Sequence, residues 1–303
     1  MVIYSIKDLE NLTGIKAHTI RIWEKRYGII EPRRTKTNIR YYLEEDLKRI
    51  MNIALLNRNG YKISKIAKLP NDQILSIAAQ LTDVDKSFEN QLDGLTLSVL
   101  ELNEKKFLKI FNTNIYQKGF KRTMLEMIYP LLDKLEMMWM TGSVEPIHEN
   151  FVSHLIKRKC IVETDKIGQD GADAKKFLVY LPKNETGELS LLFLQYLIRS
   201  KGHRVVNLGT HIELKNILTG IHLYNPDYIL TIFNELSDPD DFSNYLTLLQ
   251  NETNAKILLG GLQVLRQNQD VLKDTYTFQS SDDLEELLKT LSEVGNTRSE
   301  VIN

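Results

Sequence analysis

The sequence predicts a multidomain protein. An α winged helix-turn-helix comes first, then an α-helical bundle, then an α/β doubly wound parallel sheet. Three observations carry this reading. Charge is unevenly divided: residues 1–70 hold 15 Lys+Arg against 7 Asp+Glu, a net of +8, while residues 71–303 hold 24 against 33, a net of −9. The −1 of the whole chain therefore hides a basic head on an acidic body. Residues from about 73 to 166 keep a helical apolar period. Beyond residue 175, apolar runs of strand length alternate with amphipathic helices.

The head opens on Ser5-Ile6-Lys7-Asp8, which fits a capping box: the Ser5 hydroxyl can accept from the Asp8 amide, and the Asp8 carboxylate can reach back. A short helix follows with Ile6, Leu9 and Leu12 on one face, and Gly14 ends it in a left-handed conformation. The second helix runs from about Ala17 to Tyr27. Ile20, Trp23 and Tyr27 recur at core-facing spacing, and His18, Thr19, Arg21, Lys25 and Arg26 lie on other faces. Two short helices around a Gly-containing turn make a helix-turn-helix. Gly28 closes the second helix, and Pro32 breaks any continuation. The basic stretch from Arg33 to Arg40 reads as a two-stranded wing whose Arg33, Arg34, Lys36 and Arg40 suit phosphate contact. Leu43 to about Asn59 is amphipathic, and Ile63 to Leu69 forms one more short helix. On charge alone, a solvated basic face reads as well as a polyanion site.

The order of helix-turn-helix, Arg21-Ile22-Trp23-Glu24-Lys25-Arg26-Tyr27-Gly28, basic wing, Ile39-Arg40-Tyr41-Tyr42, and a helix followed by Asn59-Gly60-Tyr61-Lys62-Ile63 resembles the DNA-binding domain of the MerR family of transcriptional regulators. The resemblance covers nearly all of residues 3–69. It implies binding of double-stranded operator DNA by a homodimer, homotetramer or larger assembly of dimers. It places His18, Thr19, Arg21 and Arg26 on the recognition helix, and Arg33, Arg34, Asn38, Arg40 and Tyr41 on the wing. Trp23, Tyr27 and Tyr42 read as packing residues.

The domain boundaries follow composition: residues 1–70, a helical bundle over 73–168, an α/β domain over 174–293 and a tail over 294–303. The bundle reads as segments near Gln73–Leu81, Ser87–Glu101, Glu104–Lys118, Phe120–Met140 and Pro146–Thr164, joined by short connections. No heptad pattern is sustained, so dimerisation by a long coiled coil is not expected. In the last domain, strands are expected at Lys176–Leu181, Arg204–Gly209, Tyr228–Ile232, Lys256–Gly261 and Tyr276–Phe278. Helices are expected at Glu188–Lys201, Ile212–Tyr224, Asp240–Thr253 and Ser281–Leu291, the last capped by Ser281. Ligands of such sheets bind beyond the carboxyl ends of the strands.

Phe177-Leu178-Val179-Tyr180-Leu181-Pro182, the run from Gly187 to Gly209, Asn225-Pro226-Asp227 and the pair Gly260-Gly261 resemble a flavodoxin-like cobalamin-binding domain over about residues 175–292. The helical segment before it resembles that family's cap bundle, and the whole is similar to light-dependent, cobalamin-binding carotenoid repressors within the MerR family. Two signatures depart. The family carries Asp/Glu-x-His-x-x-Gly in the first loop, where the His ligates cobalt; aligning on Glu188-Leu189 puts Gly187 at the His position and Ser190 at the Gly position. The photoreceptors also carry Trp, nine residues, then Glu-His. Here Trp139 is followed at that distance by Glu149-Asn150. A glycine supplies no imidazole. His148, His154, His203 and His211 read first as surface or core histidines. The expected cofactor is therefore none, with cobalamin held without His ligation left open through Trp139, Glu149, Gly187, Gly260 and Gly261. A small-molecule or protein effector in the C-terminal cleft is a further reading.

The single Cys160 allows no intramolecular disulfide and reads as an inert core thiol. The charged N-terminus and the lack of a long apolar run predict a cytoplasmic protein without membrane partners. There is no P-loop, G-x-S-x-G or HExxH, so no enzyme is expected. The expectation is a DNA-binding transcriptional regulator whose sensor-like domain controls oligomerisation and operator binding. The alternatives are a cobalamin-dependent, light-sensing regulator, a corrinoid-binding carrier protein and a constitutive regulator.

Overall fold

The computed structural model describes residues 3–297 apart from 36, 82–87, 141, 169, 236–238 and 268–269. They form two compact units, Met1–Leu155 and Ile156–Asn303.

The first unit begins with β1 (Ile3–Tyr4), α1 (Ile6–Thr13), α2 (Ala17–Tyr27), β2 (Arg33–Arg34), β3 (Arg40–Leu43), α3 (Glu44–Arg58) and α4 (Ile63–Ile66). The Ser5–Asp8 capping box forms in both directions, at 3.2 and 2.7 Å. Gly14 and Gly28 end their helices at φ 71° and 61°. The wing sheet has three strands in the order β1-β3-β2, not two: Ile3 and Tyr4 pair with Leu43 and Tyr42. Two residues are too few to show an alternating period, so the sequence does not announce β1. Leu9, Ile20, Tyr42, Leu47 and Ile50 are fully buried, and Trp23 nearly so, while Tyr27 is half-buried.

The bundle follows as α5 (Asn71–Leu81), α6 (Phe88–Leu100), α7 (Glu104–Lys118), α8 (Phe120–Thr123), a π turn (Met124–Ile128), α9 (Tyr129–Met140) and α10 (Pro146–Asp165), which runs across the division between the units. The expected helix start at Ser87 lies outside the described residues. The stretch 120–140, expected as one plain helix, contains the π turn because Pro130 has no N–H to give the carbonyl of Glu126. The Tyr129 N–H reaches back to Met124 O instead. Every residue from Ile50 to Leu56 is buried. Helix α3 packs on α1 and on α5 and α6 at once, so the head and the bundle share one core.

The second unit contains β4 (Lys176–Tyr180), α11 (Glu188–Ser200), β5 (Arg204–Asn207), α12 (Leu214–Tyr224), β6 (Tyr228–Ile232), α13 (Pro239–Asn251), β7 (Lys256–Gly260), a 3-10 turn (Val264–Arg266), β8 (Thr275–Phe278) and α14 (Ser281–Thr297). All five strands are parallel, in the order β5-β4-β6-β7-β8. Four of the five residues of β4 and all of β6 are buried, as a central strand covered on both faces requires. The order reverses between β4 and β6, so the crevice of a doubly wound sheet lies at the ends of these strands. Two sequence expectations need correction. Helix α12 starts at Leu214 rather than Ile212, because Ile212 is drawn into a parallel bridge with Pro182. Ser280, not Ser281, caps α14: its hydroxyl accepts from the Asp283 N–H at 3.1 Å, and Asp283 Oδ2 accepts from the Ser280 N–H at 3.0 Å.

Candidate functional site

Helix α2 and the wing present the basic residues that the sequence singles out. His18, Arg21 and Arg26 are exposed, and Thr19 is half-buried. The Arg26 guanidinium lies 5.5 Å from the centre of the Tyr27 ring. At the tip of the wing, Arg34 Nη1 donates to the side chain and the carbonyl of Asn38, at 2.8 and 3.3 Å. Asn38 takes φ 65°, a conformation asparagine tolerates, so it shapes the turn as well as lying on it. Arg33 reaches Asp46 at 3.4 Å. Lys36 lies outside the described residues.

The residue that sequence reasoning missed is Glu24. It is 7% exposed at its side chain and stands behind the basic face. The buried Tyr42 hydroxyl donates to Glu24 Oε1, and the Arg40 guanidinium lies 3.8 Å from Oε2. One carboxylate on α2 thus meets two residues of β3 and fixes the wing against α2. Burial, then the bond to Glu24, raises the Tyr42 pKa, so the phenol keeps its proton. Tyr41 and Arg40 are half-buried. A glutamate among basic residues on a short helix gives no periodic signal; its spacing to Tyr42 appears only once the strand folds back.

A second polar cluster joins the head to the bundle. Asp93 on α6, 5% exposed, accepts from Arg58 at the end of α3 and from Lys134 on α9, the latter at 3.0 Å. Beside it, Asn59 and Asn90 exchange reciprocal amide bonds of 3.1 and 3.0 Å. The Tyr4 hydroxyl donates to Ser143 O at 2.7 Å. Buried polar groups matched this way hold one arrangement, because any other leaves them unpaired.

At the carboxyl ends of β4 and β6, Glu185 is 6% exposed and its Oε2 accepts from the backbone N–H groups of Asn234 and Glu235, at 2.7 and 3.2 Å. Thr186 donates to Glu235 at 2.8 Å. Burial raises the Glu185 pKa, against the effect of the two amides. Gly187 follows at φ 115°, with Asn234 Nδ2 only 3.5 Å from where a Cβ would be. At Gly261, φ 101°, a Cβ would lie 2.2 Å from Phe233 O, and at Gly260 a Cβ would meet the Phe278 ring at 2.5 Å. The glycine pair is thus demanded by the chain's own packing. The first loop therefore offers a glycine where cobalt would need an imidazole, and its one buried carboxylate is spent on backbone amides. These residues do not fit His-on cobalamin.

The histidines elsewhere take ordinary roles. His148 Nδ1 accepts from the Glu145 N–H at 3.1 Å. His203 accepts from the Lys175 N–H at 3.4 Å and lies over Phe177, at the amino end of β5, with burial lowering its pKa. His154 and His211 are exposed. Cys160 is fully buried, and burial pushes its thiol up to about 12. No group of three or more metal-ligating side chains occurs among the described residues. Trp139 and Glu149 line one cavity of about 410 Å³ within the first unit. Among the described residues no helix is long and apolar enough to cross a membrane.

Residues 4–72 match the model of the MerR HTH family regulatory protein. Two repressors from Myxococcus xanthus align along nearly the whole chain. HTH-type transcriptional repressor CarH is 23% identical over 297 residues, which cover 95% of this chain and 98% of that one. HTH-type transcriptional repressor CarA is 24% identical over 305 residues, which cover 97% and 98%. Among solved structures, the monomethylamine corrinoid protein of Methanosarcina barkeri superposes with a TM-score of 0.53 at 10% identity, over 67% of this chain and 100% of that chain. That likeness establishes the fold.

Proposed function

We propose that this chain is a MerR-type transcriptional regulator that binds double-stranded operator DNA through α2 and the wing, with its C-terminal α/β domain acting as a sensor; similarity to two bacterial repressors along nearly the whole chain supports this. The observation that carries the reading is the exposed basic face of α2 and β2, held from behind by the bond from Tyr42 to Glu24. His18, Thr19, Arg21 and Arg26 approach the groove. Arg33, Arg34, Asn38, Arg40 and Tyr41 position the wing on phosphates. Single heads of this size bind modestly; a homodimer or homotetramer multiplies that affinity on a repeated site. The sensor acts by changing the oligomer, and so the operator affinity, without His-on cobalamin. No enzymatic step is part of this reading, and the +8 head argues against a corrinoid carrier.

A mobility-shift titration tests the DNA face. Arg21→Ala should weaken operator binding about tenfold or more, and Arg40→Ala should weaken it while lowering the slope of log K against log salt by about one. Unchanged shifts for both would remove these residues from the interface.

A second reading, a cobalamin-dependent regulator, is favoured by the retention of Trp139 and Glu149 and by the full-length homology. Purification with adenosylcobalamin decides between the two. A colourless protein supports the first reading. A red protein with an altered visible spectrum supports the second, and an oligomer that then changes size in light would make it a photoreceptor.

A further inference from the structure

We propose that the cavity between α9 and α10 binds an organic ammonium ion that carries one apolar arm. This goes beyond the reading of the α/β domain as a sensor: it places an effector site in the helical bundle of the same regulator and names the chemistry of the effector.

The cavity, about 410 Å³, falls within the range of small-molecule sites. Its floor is apolar: Leu135, Val144 and Val152 line it and are 8%, 6% and 1% exposed. Trp139 stands at its edge with 43% of its surface exposed, a large aromatic left uncovered. The ionisable side chains that line it are Asp133, Glu136 and Glu149, all exposed; no Lys, Arg or His lines it. Nor do these three carboxylates appear in any ion pair or side-chain hydrogen bond found among the described residues. The carboxylates at this mouth thus set up a negative potential over an apolar floor.

Charge complementarity selects the occupant. An anion meets three like charges. A neutral apolar molecule gains the floor but no attraction from the carboxylates, which keep their water. A cation with an apolar arm buries the arm against Leu135, Val144 and Val152, and its head lies among the carboxylates and over the Trp139 indole, where a cation–π contact adds to the attraction. The site is also placed to be felt by the DNA-binding head. Asp133 lines it, and the next residue, Lys134, holds Asp93, which holds Arg58 of α3.

The test uses three probes with one arm and different heads: phenylbutylamine, phenylbutanol and phenylbutyrate, titrated by calorimetry into the full-length protein near neutral pH. The amine should bind at one site per chain, about tenfold tighter than the alcohol, and the acid should not bind detectably. Trp139→Ala, and separately Glu136→Gln with Glu149→Gln, should each weaken the amine about tenfold while leaving the melting temperature of these surface variants near that of the parent. Rising salt should weaken the amine and leave the alcohol unchanged. Equal binding of amine and acid, no binding of the amine, or undiminished binding of the amine to both variants would each overturn the proposal. The same samples are assayed for DNA. Loss of amine binding with operator binding intact sinks this inference alone; loss of DNA binding by the parent sinks the regulator reading.

Discussion

At the scale of the residue, the decisive groups are carboxylates that hold other parts in place. Glu24 is buried among cations, where an unpaired carboxylate would be costly, and it is answered by Tyr42 and Arg40. Tyr42→Phe removes one buried bond and should cost about 1 to 2 kcal/mol in thermal or urea unfolding, with weaker operator binding because the wing loses its brace. Glu185 makes a pH prediction. Burial holds its folded-state pKa above the unfolded value, so protonation favours the folded chain. That contribution is present below the ordinary glutamate range and is lost as pH rises through the raised value. Glu185→Gln should therefore melt near the parent temperature at about pH 4 and above it at about pH 7; a gap that narrows with rising pH would contradict the assignment. Cys160, with its thiol pushed up to about 12 in a buried site, should resist alkylation at neutral pH and react on unfolding.

At the scale of the element, the periods in the sequence do most of the specifying. The limits of α2 are marked by Gly28 and by core residues at helical spacing, and the parallel strands by apolar runs ended by Pro182 or Gly260-Gly261. What the sequence leaves unread depends on partners distant along the chain. β1 is two residues whose pairing with β3 exists only after the head closes. The π turn needs the register of Pro130 against Glu126. The capping role of Ser280 rather than its neighbour depends on where Asp283 reaches. The candidate DNA face is legible because basic residues sit at fixed offsets from an aromatic core. Glu24 behind it is not, because its meaning lies in residues about one wing away. The glycine pair teaches the converse: read from family pattern it suggests room for a ligand, yet the neighbours of both glycines are the chain's own Phe278 and Phe233. Gly261→Ala forces a Cβ onto a carbonyl at positive φ and should destabilise the second unit by about 3 kcal/mol or more, whereas Gly14→Ala, with open space around it, should cost only about 1 kcal/mol.

At the scale of the whole molecule, the head and the bundle as far as Leu155 form one unit, and the end of α10 and the parallel sheet another. The Arg58–Asp93–Lys134 cluster and the Asn59–Asn90 pair clip the head to the helices that follow it. Removing the shared carboxylate leaves two cations facing each other in a half-buried site, so Asp93→Ala should cost about 3 kcal/mol in the unfolding of the first unit. Helix α3, which these bonds tie to the bundle, packs on α1, and α1 packs on α2. The central claim is that this chain reads DNA. It is tested most directly by selecting duplexes from a random pool with the full-length protein, in parallel with an Arg21→Ala, Arg34→Ala double variant. The parent should enrich a sequence with two-fold symmetry, and the variant should enrich none. No enrichment by the parent, or the same enrichment by the variant, would contradict it.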